Sequence, residues 1–249
     1  MLEDILRDIK ERGGLTKMFL DYDGTLVDIT SQPELAIPDR GLIDLLVALK
    51  SRLPLYLVTG RDLDGFVSLI GKGFNIIAMH GSERMSEDGE KSFIEGFDYY
   101  RKETRKMANK YSYLEEEFPG LRIIDKRGGL QFHYYNVARN RLDDLEYVIS
   151  NIREDGFELY SGKFVYELRV KGVNKGTAML KLIGTEDLVL FAGDDRTDEE
   201  AFEKLSKHVT IKVGDGETAA RYRLPTPSMM RAFLETLLKK QNEMFRKGL

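Results

Sequence analysis

Cysteine is missing from this chain, so disulfides, thiolate zinc sites and cysteine nucleophiles are excluded at the outset. Tryptophan is missing too, and histidine is scarce: His80, His133 and His208 share no H-x-x-x-H spacing, which argues against a histidine-built metal centre. No apolar run approaches the roughly 18 residues that a membrane-spanning helix needs. The amino-terminal stretch MLEDILRDIKERGG is amphipathic and charged, unlike a signal peptide. A basic surplus is also lacking, since 38 Lys and Arg face 42 Asp and Glu for a net charge of −4, which speaks against a general nucleic-acid binder. It leaves room for a small cationic pocket. Repeats and low-complexity tracts are absent as well. What is present, 42% hydrophobic and 10% aromatic residues in 249, suffices for one or two packed domains. The expectation is a soluble, cytoplasmic globular protein with no membrane and no nucleic-acid partner, a monomer by default.

Leu2, Ile5, Leu6 and Ile9 recur at helical spacing, closed by Gly13-Gly14. A short apolar run (Lys17–Leu20) then stops at DYDGT. A helix over 39–50 leads to the buried-type strand LPLYLV and Thr59-Gly-Arg61; a helix over 62–70 leads to the strand 75–79 and His80-Gly81. Alternating helices and fully apolar strands predict a parallel sheet covered on both faces. The pattern then changes. Residues 92–118 read as one long helix, followed by strands LRII and LQFHYY, a helix over 140–154, and strands FELYS and KFVYELRV joined tightly at Gly162. Helix and paired strands in this order predict an antiparallel α+β insert over 91–171. The first pattern resumes with helix 174–183, strand 187–192, helix 197–205, strand 209–213 and helix 228–240. Residues 1–90 and 172–249 are therefore expected to form one α/β, Rossmann-like core, interrupted by the inserted domain.

In such sheets ligands bind beyond the carboxyl ends of the strands. Asp21-Tyr-Asp23-Gly-Thr25, Thr59-Gly-Arg61, Lys175 and Gly193-Asp194-Asp195-x-x-Asp198 all fall at such ends or at the start of the helix beyond. Carboxylates at that density repel one another unless a cation sits among them. Oxygen-only donors suit a hard ion, most simply Mg²⁺. A magnesium and a lysine beside a carboxylate nucleophile describe phosphoryl transfer through an aspartyl-phosphate. Asp21 and Asp23, two apart in an extended segment, can face one phosphate, and Gly24 lets the backbone leave sharply.

DYDGTL, TGR, a lysine after an insert and GDDRTD, in that order, resemble the haloacid dehalogenase (HAD) superfamily of phosphatases. HGSE (80–83), ELRVKGVNKGTAM (167–179), AGDDRTDEEAF (192–202) and VGDGETAARYRLPTP (213–227) are similar to the trehalose-6-phosphate phosphatase family within it. The resemblance implies a HAD core with an α/β cap and a Mg²⁺-dependent sugar-phosphate phosphatase. It implies Asp21 as nucleophile, Asp23 as general acid and then base, and Thr59 and the Gly60 amide on phosphate oxygens. Lys175 would neutralise charge on the phosphoryl group. The metal would rest on Asp21, the Asp23 carbonyl and Asp194, with Asp198 or Asp195 holding a water on it. Glu83, Lys163 and Glu167 match the family's sugar-hydroxyl contacts, and separation of cap from core near residues 90 and 171 would admit the substrate.

Other readings stand beside these. Arg61 serves equally as charge near the phosphate or in a structural ion pair, and Asp195 as a helix cap. Lys163 and Glu167, four apart in one hairpin, suit a cross-strand ion pair. The same core chemistry fits sucrose phosphate or a mannosyl-phosphoglycerate, a phosphosugar mutase, or a non-catalytic sugar-phosphate-binding regulator.

Overall fold

In the computed structural model, which describes residues 2–30, 35–162 and 164–246, the amino-terminal stripe becomes α1 (Leu2–Glu11) with Ile5, Leu6 and Ile9 buried. The apolar run after it is β1 (Lys17–Asp21). Asp39 caps α2 (Arg40–Lys50) by accepting the Leu42 amide at 2.8 Å, and Asp62 does the same for α3 (Leu63–Ile70) through Gly65. Between and after these helices lie β2 (Leu55–Val58) and β3 (Asn75–Ala78), followed by the short strands β4 (Glu83–Met85) and β5 (Lys91–Phe93).

Two units separate along the chain: Met1–Ser92 with Asn174–Leu249, and Phe93–Val173. The second opens on α4 (Phe97–Tyr111) and α5 (Tyr113–Glu117), then β6 (Arg122–Asp125), β7 (Gly129–His133), α6 (Leu142–Ser150), β8 (Phe157–Gly162) and β9 (Val165–Val170). Its strands form an antiparallel sheet in the order β6-β7-β9-β8. Strand alternation puts Leu130 and Phe132 of β7 and Tyr166, Leu168 and Val170 of β9 on one face. There they pack with Met107, Tyr111, Leu145 and Ile149 of the helices.

The single helix expected over 92–118 does not form. Residues 91–93 are strand, and Gly96 takes a left-handed φ of +72° that no helix continues through. The Phe93 and Phe97 rings stack across that corner at 4.6 Å. At Ser112 the amide bonds back three residues to the Asn109 carbonyl, a tightened turn that separates α4 from α5.

The first unit resumes with α7 (Lys175–Leu180), β10 (Val189–Gly193), α8 (Arg196–Lys204), β11 (Val209–Val213), β12 (Tyr222–Leu224), α9 (Pro227–Lys239) and α10 (Gln241–Met244). Its sheet runs β12-β11-β10-β1-β2-β3-β4-β5, parallel from β12 to β3 and antiparallel at β4. The fold class is α/β with a mostly parallel central sheet. From β1 the chain winds outward through β2 and β3 on one side; after the insert it winds outward from β10 on the other. The strand order reverses between β1 and β10, in register Leu20 to Ala192, and a reversal of that kind leaves a crevice at the carboxyl ends. Among the described residues, no helix is long and apolar enough to cross a membrane.

Candidate active site

The crevice collects the polar clusters read from the sequence. β1 delivers Asp21, only 4% exposed, at its carboxyl end. Asp21 Oδ1 accepts from Lys175 Nζ at 2.7 Å, and Oδ2 accepts from the Thr25 hydroxyl at 3.0 Å. The same hydroxyl lies 3.4 Å from Asp194 Oδ1. Lys175 is the first residue of α7, held there by Asn174, whose side chain takes the Thr177 amide while the Thr177 hydroxyl takes the Asn174 amide. The buried ammonium bridges to a second carboxylate, Asp198 Oδ1, also at 2.7 Å.

Asp198 sits in the first turn of α8 with no exposed surface, and its Oδ2 accepts the amides of Asp194 and Asp195, each at 3.0 Å. Asp195 caps the same helix: its Oδ1 accepts the Thr197 amide (2.8 Å), the Thr197 hydroxyl (2.6 Å) and the Asp198 amide (3.1 Å). Two glycines admit this crowding. A Cβ on Gly24, where φ is +76°, would stand 2.0 Å from Asp194 Oδ2, and one on Gly193 would stand 2.3 Å from Asp198 Cγ. Gly24→Ala is therefore expected to cost at least about 1 kcal/mol from the left-handed backbone alone. It is also expected to push the Asp194 carboxylate aside; urea unfolding and Mg²⁺ titration of the variant check both effects.

Thr59, Gly60 and Arg61 form the turn after β2. The Thr59 hydroxyl accepts the Arg61 amide at 3.1 Å, and the Met79 amide donates to the Arg61 carbonyl at 2.9 Å. The Arg61 guanidinium then grips Asp23 with two bonds, Nε to Oδ2 at 2.7 Å and Nη2 to Oδ1 at 2.6 Å. Of the two readings of Arg61, the ion pair is the one seen, and its partner is Asp23. The chain turns at Gly24, just beyond Asp23, where the Gly24 amide donates to the Val27 carbonyl at 2.8 Å and Asp23 pairs with Val27 in an isolated bridge. The Asp21, Asp194 and Asp198 carboxylates do gather, with one oxygen of each within 4.8 Å of the others.

Of the sugar-contact candidates, Glu83 belongs to the first unit and Glu167 to the second. Glu83 is buried at the start of β4, where its Oε2 accepts the Leu63 amide at the start of α3 at 2.9 Å. Glu167 is buried on β9, between Gln131 of β7 and Tyr160 of β8. Lys163 lies outside the described residues. Sequence reasoning passes over Thr25, Asn174 and Lys212. Thr25 belongs to the D-x-D-G-T run that flags Asp21, and Lys212 is the one charged residue in the otherwise uncharged strand VTIKV.

Electrostatics in the crevice are unbalanced. Burial, followed by the charges of Asp194 and Asp195, pushes Asp21 up to about 8 against the pull of Lys175. Burial, Asp195 and Asp198 push Asp194 up to about 7. Burial raises Asp198 well above the usual carboxylate range in spite of Lys175. Packed surroundings push Asp195 up as well, but Lys175 and the bonds from Thr197 win and hold it well below that range. Burial works against the Lys175 ammonium, yet Asp198 and Asp21 outweigh it and keep the group protonated. One ammonium among these carboxylates leaves surplus negative charge. An all-oxygen donor set with such a surplus fits a hard divalent cation such as Mg²⁺.

A phosphatase of the HAD superfamily from Bacteroides thetaiotaomicron, 16% identical, superposes with a TM-score of 0.56 over 93% of this chain and 97% of its own; the fold is the HAD fold. The trehalose-phosphatase family model matches residues 19–228, and the chain belongs to that family of phosphoric monoester hydrolases. A trehalose-6-phosphate phosphatase-related protein of Thermoplasma acidophilum is 37% identical over 88% of this chain and 95% of its own length. A bifunctional trehalose-6-phosphate synthase/phosphatase of Thermoproteus tenax is 34% identical, and there the chain spans only 31% of the relative. The crystal structure of a trehalose-6-phosphate phosphatase related protein, 35% identical, gives a TM-score of 0.81 over 92% of this chain and 99% of the other.

Proposed function

We propose that this chain hydrolyses trehalose 6-phosphate to trehalose and inorganic phosphate through a phosphate carried on Asp21. The observation that carries the reading is the buried Asp21 carboxylate, fixed by Lys175 at 2.7 Å and Thr25 at 3.0 Å at the strand-order reversal. In the first half, an Asp21 oxygen bonds to phosphorus as the ester bond to the sugar oxygen breaks, and Asp23 gives that oxygen its proton. In the second half, Asp23 takes a proton from water, whose oxygen bonds to phosphorus as the bond to Asp21 breaks. Phosphate leaves and both carboxylates return to their starting states.

The Thr59 hydroxyl and the Gly60 amide hold phosphate oxygens in this reading, and Arg61 orients Asp23, releasing one of its two oxygens for the proton that Asp23 carries. Lys175 pulls Asp21 toward its ionised form, a pull that a bound cation would add to, and meets negative charge on the transferring group. Asp21, the Asp23 carbonyl and Asp194 would hold Mg²⁺, with Asp198 behind them; when bound, the ion neutralises the carboxylates and the phosphate. Selection of the sugar we assign to the insert, with Glu167 as the residue to change.

Phosphate release from trehalose 6-phosphate, sucrose 6-phosphate and glucose 6-phosphate, with Mg²⁺ and with EDTA, tests the proposal. The expected result is metal-dependent turnover, strongest on trehalose 6-phosphate. Glu167→Gln is expected to raise KM for that substrate and leave p-nitrophenyl phosphate turnover unchanged. Preference for another sugar phosphate would discard the substrate and keep the Asp21 chemistry. Absence of turnover on all three by folded, metal-loaded protein would sink the enzyme reading.

A further inference from the structure

Lys212 is charged, yet it lies in β11, a strand whose every residue is buried. Val209, Ile211 and Val213 alternate into the main core, so Lys212 points to the opposite face. Its ammonium donates to the Asp194 carbonyl at 2.5 Å and to Glu199 Oε1, on α8, at 3.1 Å. The other Glu199 oxygen accepts the Thr218 hydroxyl at 3.0 Å and the Ala219 amide at 2.8 Å. A buried ion pair of this kind adds little to stability compared with apolar residues of the same shape, so fold stability alone does not account for a lysine here.

Its effect on Asp194 does. The Asp194 amide is already held by Asp198 Oδ2 at 3.0 Å, and Lys212 takes the carbonyl at the other end of the same residue. Asp194 is thus gripped on both sides of its Cα, which fixes the direction of a carboxylate wedged over Gly24. We propose that Lys212, anchored by Glu199, is a positioning residue that aims the Asp194 carboxylate at the divalent cation. The network also ties the 218–219 segment to α8, so that the loop after β11 and the Asp194 turn are set by one ammonium. The inference rests on the metal reading above and adds to it residues that touch neither metal nor substrate.

The test is calorimetric titration of the intact protein with Mg²⁺, for wild type, Lys212→Met and Glu199→Gln. Partners that orient metal ligands from behind typically change affinity about 10- to 100-fold. Lys212→Met is therefore expected to raise the Mg²⁺ dissociation constant about tenfold or more, and Glu199→Gln by a smaller factor of at least about threefold. Glu199→Gln keeps the side-chain size and serves if Lys212→Met fails to fold. Folded variants that bind Mg²⁺ within twofold of wild type would overturn the inference and leave the metal reading intact. Wild-type protein that binds no Mg²⁺ would remove the metal reading, and this inference with it.

Discussion

Asp21→Asn is expected to abolish turnover of trehalose 6-phosphate while leaving the fold standing. Removing a carboxylate nucleophile forecloses the covalent route, and loss of a residue that acts as part of a catalytic unit commonly costs about a thousandfold or more. The amide keeps the geometry: its oxygen can still accept from Lys175, and its NH₂ can meet Thr25, whose hydroxyl turns to accept. Stability should move the other way from activity. With the folded carboxyl at about 8 against an ordinary value near 3.8, the metal-free fold favours the neutral form. A raised folded value contributes stability below the ordinary one, and that contribution is lost as pH rises toward 8. An asparagine is neutral throughout. In EDTA the variant should therefore unfold at no lower urea concentration than wild type, with its advantage larger at pH 8 than at pH 5. A clear loss of stability in the variant at pH 8 would mean that Asp21 is not the strained group described here.

Lys175→Met should have the largest effect on the fold. The ammonium, 2% exposed, is shared by Asp21 and Asp198 at 2.7 Å each, and its removal leaves two buried carboxylates facing each other without a cation. Breaking a buried pair in this way costs about 3–5 kcal/mol. Proton uptake by one carboxylate would absorb part of that, so the loss should be greater at pH 8 than at pH 5. Two compensations follow. Mg²⁺ supplies positive charge to the same cluster and should recover part of the lost stability. Asp198→Asn in the Lys175→Met background should recover another part by removing one of the stranded charges. Activity stays lost in every combination. Urea unfolding of wild type, Lys175→Met and the double variant, with Mg²⁺ and with EDTA, measures all of this. A loss below about 1 kcal/mol would place Lys175 among surface ion pairs, contrary to its burial.

The long apolar strands were legible because a strand covered on both faces has no polar side to show. β1, β2, β3, β10 and β11 each follow from a run of Leu, Ile, Val and Phe that ends at a polar cluster. Asp39 and Asp62 marked helix starts to within a residue, since a carboxylate that accepts a first-turn amide is a local signal. The strands 83–85, 91–93 and 222–224 were not legible: three residues carry no periodicity, and only a neighbouring strand makes them extended. Over 92–118 the charge pattern suits a helix throughout, and Gly96 was the one residue that contradicted it.

At the site, Asp21, Lys175, Asp194 and Asp198 came together because sheet topology alone carries strand ends to one crevice. The Asp23–Arg61 pair did not follow from spacing, since it depends on β1 and β2 lying side by side in the sheet. Lys212 was passed over in the sequence, since its bond to the Asp194 carbonyl joins residues 18 apart that only the pairing of β10 with β11 brings together.

Covalent phosphate on Asp21 is the claim on which the account turns. Protein quenched in acid during turnover of trehalose 6-phosphate with Mg²⁺ should carry phosphate that hydroxylamine releases, as an acyl phosphate requires. Peptide mass spectrometry should place it on the peptide containing Asp21, and Asp21→Asn should carry none. Turnover with no covalent phosphate, or with phosphate on another residue, would contradict the account.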